Sequence, residues 1–193
     1  MLKELLLFEI KNRLFKISSL IYFIFIFLAS FLFGLFFADT FQGITINYSS
    51  LELNSPIILN NIITTMGFFG ILIIAPIFGQ SINKDFETEF RQIIFAAPIS
   101  KANYFFVRYF GSFISVVTIL SSIGFGIWFA TLMPFVNKQF IGENHFLFYI
   151  TPYLFTILPN ILILGALFIA IISFFNKMSS VYISCILIFM GYL

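Results

Sequence analysis

Four stretches of this chain run for twenty or more residues without a charged side chain, and they limit what it can fold into. They are centred on residues 18–37, 57–82, 109–132 and 148–175. A helix needs about 20 apolar residues to cross the roughly 30 Å hydrocarbon layer of a bilayer. A fifth apolar run, 178–193, reaches only about 24 Å at 1.5 Å per residue. It reads as an unfinished span, so the sequence is expected to be the N-terminal part of something longer. Transmembrane barrel strands alternate apolar and polar residues over about ten positions, whereas these runs are continuous, which excludes a barrel. Only 9% of the residues are charged, against about 25% in ordinary soluble domains. The expected fold is an all-α polytopic membrane bundle, with an N-terminal interfacial helix at 1–17 and a transmembrane domain at 18–193. That domain holds four complete spans and an incomplete fifth.

The same features exclude several functions. A net charge of +2 makes no dense basic patch for nucleic acid. Cys185 and His145 are the only residues of their kinds, too few for an internal disulfide or a metal site. Glu143 beside His145 reads as a solvated loop, and Cys185 as a small apolar-face residue. No phosphate-binding G-x-x-x-x-G-K-[ST] loop occurs. No Asp, Glu, Lys or Arg falls within a span, which argues against proton relays, cation channels and voltage sensors. The first run is too long for a signal peptide and lacks a convincing cleavage site, so it is expected to stay as a helix.

Basic residues sort between the loops. Lys3, Lys11, Arg13, Lys16, Lys84, Arg91, Lys101, Arg108 and Lys177 fall on one side, and Lys138 alone falls on the other. Lys/Arg excess in short loops marks the cytoplasm, so the N-terminus is expected inside. Pairs of small residues four apart, Ser30/Gly34, Ala75/Gly79, Gly111/Ser115 and Ser122/Gly126, offer close helix approach. Pro76, Pro152 and Pro159 are expected to kink spans two and four.

Two polar elements stand out. In the N-terminal segment, Glu9, Asn12, Arg13 and Lys16 form a narrow polar stripe opposite Leu7, Ile10 and Leu14, as in a helix at a membrane surface. In the loop 83–104, Phe86, Phe90, Ile93 and Ile94 share an arc of about 100°. Asp85, Glu87, Thr88, Glu89, Arg91 and Gln92 fill the remainder, with Glu87 and Arg91 an i,i+4 pair. A short amphipathic helix is expected at 85–95. Pro98 disfavours helix before it, and Ser100 stands where the next helix needs an N-cap. Spacing alone leaves open whether this helix rests on the membrane or presents its acidic-aromatic face to a partner.

The order of parts resembles the permease subunit of type-2 ATP-binding-cassette transporters. The likeness is strongest to permeases with an NAPF motif before span two, then a DFETGT-like stretch and a TPISK-like turn. Here those read Asn54-Ser55-Pro56-Ile57, Lys84-Asp85-Phe86-Glu87-Thr88-Glu89 and Ala97-Pro98-Ile99-Ser100-Lys101, followed by Tyr104 and Arg108-Tyr109-Phe110-Gly111. This chain departs at Ser55 and Glu89. The likeness implies a multi-pass protein of the bacterial cytoplasmic (inner) membrane, working beside a second permease subunit, as homo- or heterodimer. It implies no cofactor on this chain, with ATP and Mg held by a separate ATPase, and it favours export. Residues 85–95 would be the coupling helix, with Phe86, Phe90, Ile93 and Ile94 as anchors and Asp85, Glu87, Glu89 and Arg91 at the partner. Some members of that group carry a C-terminal zinc aminopeptidase-like domain, which keeps a second reading open, a membrane anchor for an enzyme domain absent here. A third is a membrane scaffold with no coupled ATPase. No residue names the substrate.

Overall fold

The computed structural model describes residues 2–40, 54–87, 100–134, 136 and 141–192; the side chains of residues 2, 37–40 and 85–87 are excluded. Among the described residues every regular element is a helix. The helices are α1 (Leu2–Leu14), α2 (Ile17–Thr40), α3 (Pro56–Phe69), α4 (Ile71–Glu87), α5 (Lys101–Thr131), α6 (Phe146–Pro152), α7 (Leu158–Phe175) and α8 (Met178–Tyr192). A π-helical turn, Tyr153–Ile157, joins α6 to α7. Three segments are long and apolar enough to cross a membrane: Ile17–Phe36, Lys101–Thr131 and Phe146–Phe175. Counting α3 and α4 as one bent span makes four. The fifteen residues of α8 cover about 22 Å at 1.5 Å each, short of the hydrocarbon layer.

Local chemistry explains the boundaries. The Ser55 hydroxyl accepts from the Ile58 amide at 3.5 Å and its carbonyl accepts from Leu59 at 3.0 Å. Pro56 then takes the first helical position, where no donor is needed. Ser100 does the same for α5, accepting from the Asn103 amide at 3.3 Å and from Tyr104 at 3.1 Å. Asn176, at φ 52°, ends α7 in the left-handed conformation that asparagine tolerates better than most residues.

The break in span two falls at Gly70 rather than at Pro76. The two helices meet there at 41°, and the Gly70 carbonyl accepts from both Ile73 (2.9 Å) and Ile74 (3.0 Å) to start α4. Pro76 lies inside α4. In span four the irregularity does gather at the prolines: Pro152 supplies no N–H, and the backbone passes through the π-helical turn before Pro159. There the Leu158 amide donates to the Tyr153 carbonyl, five residues back.

The contacts divide the chain into two compact units. The first comprises residues 1–20, 70–117 and 160–193. In it the Phe78 ring of α4 seats in a notch of α7 at Gly165, where a Cβ would come within 2.5 Å of the ring. The Tyr109 hydroxyl of α5 donates to the Leu162 carbonyl at 2.8 Å. Gly79 of α4 receives the Met178 side chain of α8.

The second unit comprises residues 21–69 and 118–159. Here α2 crosses α5 at Ser30, Gly34, Gly126 and Ala130, with Phe27, Phe31 and Phe129 in ring contact beside them. Gly67 of α3 packs on Ile157 of the π-helical turn. Buried Asn54 binds Gly142 at two points, donating to its carbonyl (2.5 Å) and accepting from its amide (2.8 Å). Asn144 accepts from Asn54 (3.1 Å) and from the Tyr149 hydroxyl (2.9 Å), and donates to Thr131 (3.3 Å).

Two glycines of α5 make a matched test of the α2–α5 crossing. A Cβ on Gly126 would meet the Ser30 hydroxyl and, at 2.7 Å, the Phe27 carbonyl oxygen, whereas one on Gly124 meets nothing within 4 Å. Gly126→Leu is expected to destabilise the protein by about 1–3 kcal/mol, the usual cost of overpacking. Gly124→Leu is expected to leave the unfolding midpoint of detergent-purified protein unchanged.

Candidate functional site

Two members of the polar stripe of α1, Glu9 and Arg13, turn inward, while Asn12 and Lys16 stay exposed. Glu9 is only 7% exposed, while Leu7 and Phe8 are 55% and 67% exposed. A helix lying at a membrane surface turns its polar face to water; here Glu9 and Arg13 face α4 and α5 instead.

One carboxylate oxygen of Glu9 organises the cluster. Glu9 Oε1 accepts from Arg13 Nε at 2.5 Å and from Arg108 Nη1 at 2.7 Å. Arg13 Nη1 donates onward to Ser112 Oγ (3.1 Å) and to the Ile77 carbonyl of α4 (3.4 Å). Ser112 in turn donates to the Arg108 carbonyl at 2.7 Å. The Arg108 guanidinium also stands over the Tyr104 ring, 5.6 Å from its centroid. Arg108, Gly111, Ser112 and Ser115 follow the i, i+3, i+4, i+7 spacing of one helical face. Gly111 makes the approach possible, because a Cβ there would come within 2.6 Å of Glu9 Cγ. Burial pushes the Glu9 carboxyl up, but the charges and hydrogen bonds of Arg13 and Arg108 outweigh it and hold the group below the ordinary value.

The sequence motifs anticipate only part of this. Glu9 and Arg13 stood together in the polar stripe expected on α1. Its partner Arg108 lies 95 positions beyond Arg13 and carries no local signal except the small residues Gly111 and Ser112 that follow it.

The docking residues expected from the sequence sit elsewhere. Asp85, Phe86 and Glu87 form the last turn of α4, which continues without a break beyond the expected end of span two at residue 82. Their side chains, together with Glu89, Phe90, Arg91, Ile93, Ile94 and Pro98, lie outside the described residues, and so does most of the amphipathic helix expected at 85–95. Ser100 and Arg108 bracket the first two turns of α5. Among the described residues, no group of three or more His, Cys, Asp or Glu side chains is placed to hold a metal ion. His145 and Glu143 approach to 3.7 Å on an exposed loop. No protein-family model, curated protein or solved structure matches the chain.

Removing the shared carboxylate leaves two guanidiniums facing each other. Breaking a buried ion pair from one side costs about 3–5 kcal/mol, and the arginines keep 17% and 19% of their side-chain surface exposed. Glu9→Gln should therefore cost about 3 kcal/mol, the lower end of that range, measured by unfolding in detergent at neutral pH. Because the folded-state carboxyl lies below its ordinary value of 4.5, its stabilisation is complete above that value. It is lost as pH falls through the folded-state value. The wild type should lose stability over that acid window, and Glu9→Gln should lack this component.

Proposed function

We propose that the chain is the membrane-spanning permease subunit of an ATP-binding-cassette transporter, an exporter of the bacterial inner membrane. On this reading the N-terminus is cytoplasmic, and α3 and α4 form one bent span among four, with α8 beginning a fifth. A separate ATPase, which holds ATP and Mg, docks on the loop 83–104, and a second permease subunit completes the path. The reading rests on the motif likeness of residues 54–111 and on one structural observation. Helix α4 runs on as helix to Glu87, and α5 restarts under the Ser100 cap, so the segment expected to dock is joined directly to two helices of the chain.

The Glu9 cluster adds to this. Arg108 lies two turns into α5, directly downstream of the loop, and is tied through Glu9 to α1 and through Arg13 to α4. Movement delivered at the start of α5 is therefore shared with the helices on either side of it.

Purification of the whole protein from its native membranes in mild detergent is expected to recover an ATPase with a phosphate-binding loop in stoichiometric amount. Phe86→Asp with Phe90→Asp should abolish that recovery, and joint reversal by Glu87→Lys and Arg91→Glu should weaken it at least tenfold. Recovery of no ATPase from protein whose unfolding transition is intact overturns the proposal.

A further inference from the structure

We propose that the outward face of α3 is a self-association surface, on which a second copy of this chain packs with Asn61 against Asn61. The inward face of α3 is accounted for: Leu59, Ile62, Ile63 and Met66 are buried, and the helix packs on α6 and the π-helical turn. Opposite them Ile57, Asn61, Thr64 and Phe68 form one row, spaced 4, 3 and 4 residues apart. Ile57 is 55% exposed, Asn61 is exposed, and Thr64 and Phe68 are half-buried. Exposed Asn60, Thr65 and Phe69 flank the row. Alternating spacings of 4 and 3 make the seam along which two helices pack at about 20°, the commonest geometry in membrane bundles.

A row of this chemistry does not suit acyl chains. On α2, every exposed residue from Leu20 to Phe36 is apolar, as lipid contact requires. On α3 the exposed face instead carries two amides and two hydroxyls along about 16 Å of helix. Among the described residues the Asn60, Asn61 and Thr64 side chains have no hydrogen-bond partner, while Thr65 donates to the Asn61 carbonyl at 2.7 Å. Lipid tails offer an amide neither donor nor acceptor, and a polar group left unpaired in such surroundings is costly. A side chain on another helix removes that cost.

Hydrogen-bond complementarity selects a second copy as the occupant. An asparagine side chain holds both donors and an acceptor, so two identical amides satisfy each other. Two copies inserted the same way round and related by a two-fold axis along the membrane normal present the same patch to each other. Their α3 helices then run parallel, and in a parallel seam each residue meets its own counterpart. A single asparagine in such a seam fixes both the register and a pairing of two. Ile57 on one side of the amides and Phe68 on the other supply the apolar contact that closes the seam. The inference needs only that span two lies in a membrane; on the transporter reading it makes the second subunit another copy of this chain.

Disulfide crosslinking of the whole protein in its native membranes tests this, in a Cys185→Ala background. Ile57→Cys and Thr64→Cys are each expected to give a disulfide-linked dimer of the chain. Ile24→Cys and Leu28→Cys, on the exposed face of α2, should give none. Association is then read by energy transfer between labelled copies as vesicles are diluted with lipid. Asn61→Leu, which suits lipid, should weaken it about tenfold or more, the scale of a few interhelical hydrogen bonds. Thr118→Leu, the same kind of change at an exposed position of α5, should leave it unchanged, with the helical content of both variants checked by circular dichroism. Absent crosslinks at 57 and 64, equal crosslinking on α2, or unchanged association of Asn61→Leu each overturns the proposal. So does labelling of Asn61→Cys by a membrane-impermeant thiol reagent, which would put water on this face.

Discussion

Glu9 is a single carboxylate with two guanidiniums on one of its oxygens, and the placement of α1 depends on it. Within a membrane the hydrophobic effect gives helices no reason to associate, since lipid is as apolar as another helix. Helix α1 has apolar residues on several sides, so apolar contact alone does not orient it. The charge cluster does: Arg13 reaches α4 and α5 from α1, Arg108 reaches back from α5, and Gly111 removes the atom that would hold them apart. Glu9 and Arg13 are thereby turned inward with half-buried Ile10 and Leu14, and Leu7 and Phe8 are turned out. Such an arrangement costs desolvation of three charged groups. It persists because each has partners of good geometry, and because losing the shared carboxylate would bring two guanidiniums together without it.

The remaining packing uses what lipid leaves available, close approach and satisfied polar groups. Two of the interhelical crossings pair a small residue with a bulky side chain, Gly165 with Phe78 and Gly79 with Met178. The α2–α5 crossing goes further and brings backbone against backbone, with the Phe27 carbonyl next to Gly126. Serines in the spans return their hydroxyls to carbonyls three or four residues back, as Ser81, Ser115 and Ser122 do, so their burial leaves no orphaned donor. Asn54 solves the same problem at the end of a span by pairing with both backbone groups of Gly142. A buried asparagine in that position is a backbone substitute, which is why it stands next to a helix start rather than inside one.

What was legible in the sequence follows from these physics. The apolar runs announced their helices because length and the absence of charge are local properties, and Ser100 announced α5 because capping is local as well. The small-residue pairs at 30/34 and 122/126 fell on a real crossing. The inward face of α1 was not legible. Periodicity reports that a helix has two unlike faces, but not which of its polar residues finds a buried partner on another helix. The bend at Gly70 was hidden for a related reason. A proline inside a helix removes one hydrogen bond, and the chain tolerates that loss at Pro76, whereas Gly70 ends one helix and begins the next within a single residue. Partners distant in sequence, Glu9 with Arg108 and Asn54 with Gly142, leave no trace in a single chain.

On the proposed reading, the clamping of α1 through Glu9 has a mechanical consequence. A helix lying loosely at the membrane surface would leave α5 to respond alone to any force delivered at its start. Clamped through Glu9, α1 must move with the first turns of α5, and Arg13 carries that displacement to the Ile77 turn of α4. The α1–α2 turn is part of the same assembly through the Arg13 carbonyl, which holds Ser19. Displacement of α5 therefore reaches the start of α2 through hydrogen bonds rather than through apolar contacts, which slide. Weakening Glu9 would loosen this linkage without altering the segment proposed to dock, so on the proposed reading binding of a partner and response to it would be separable.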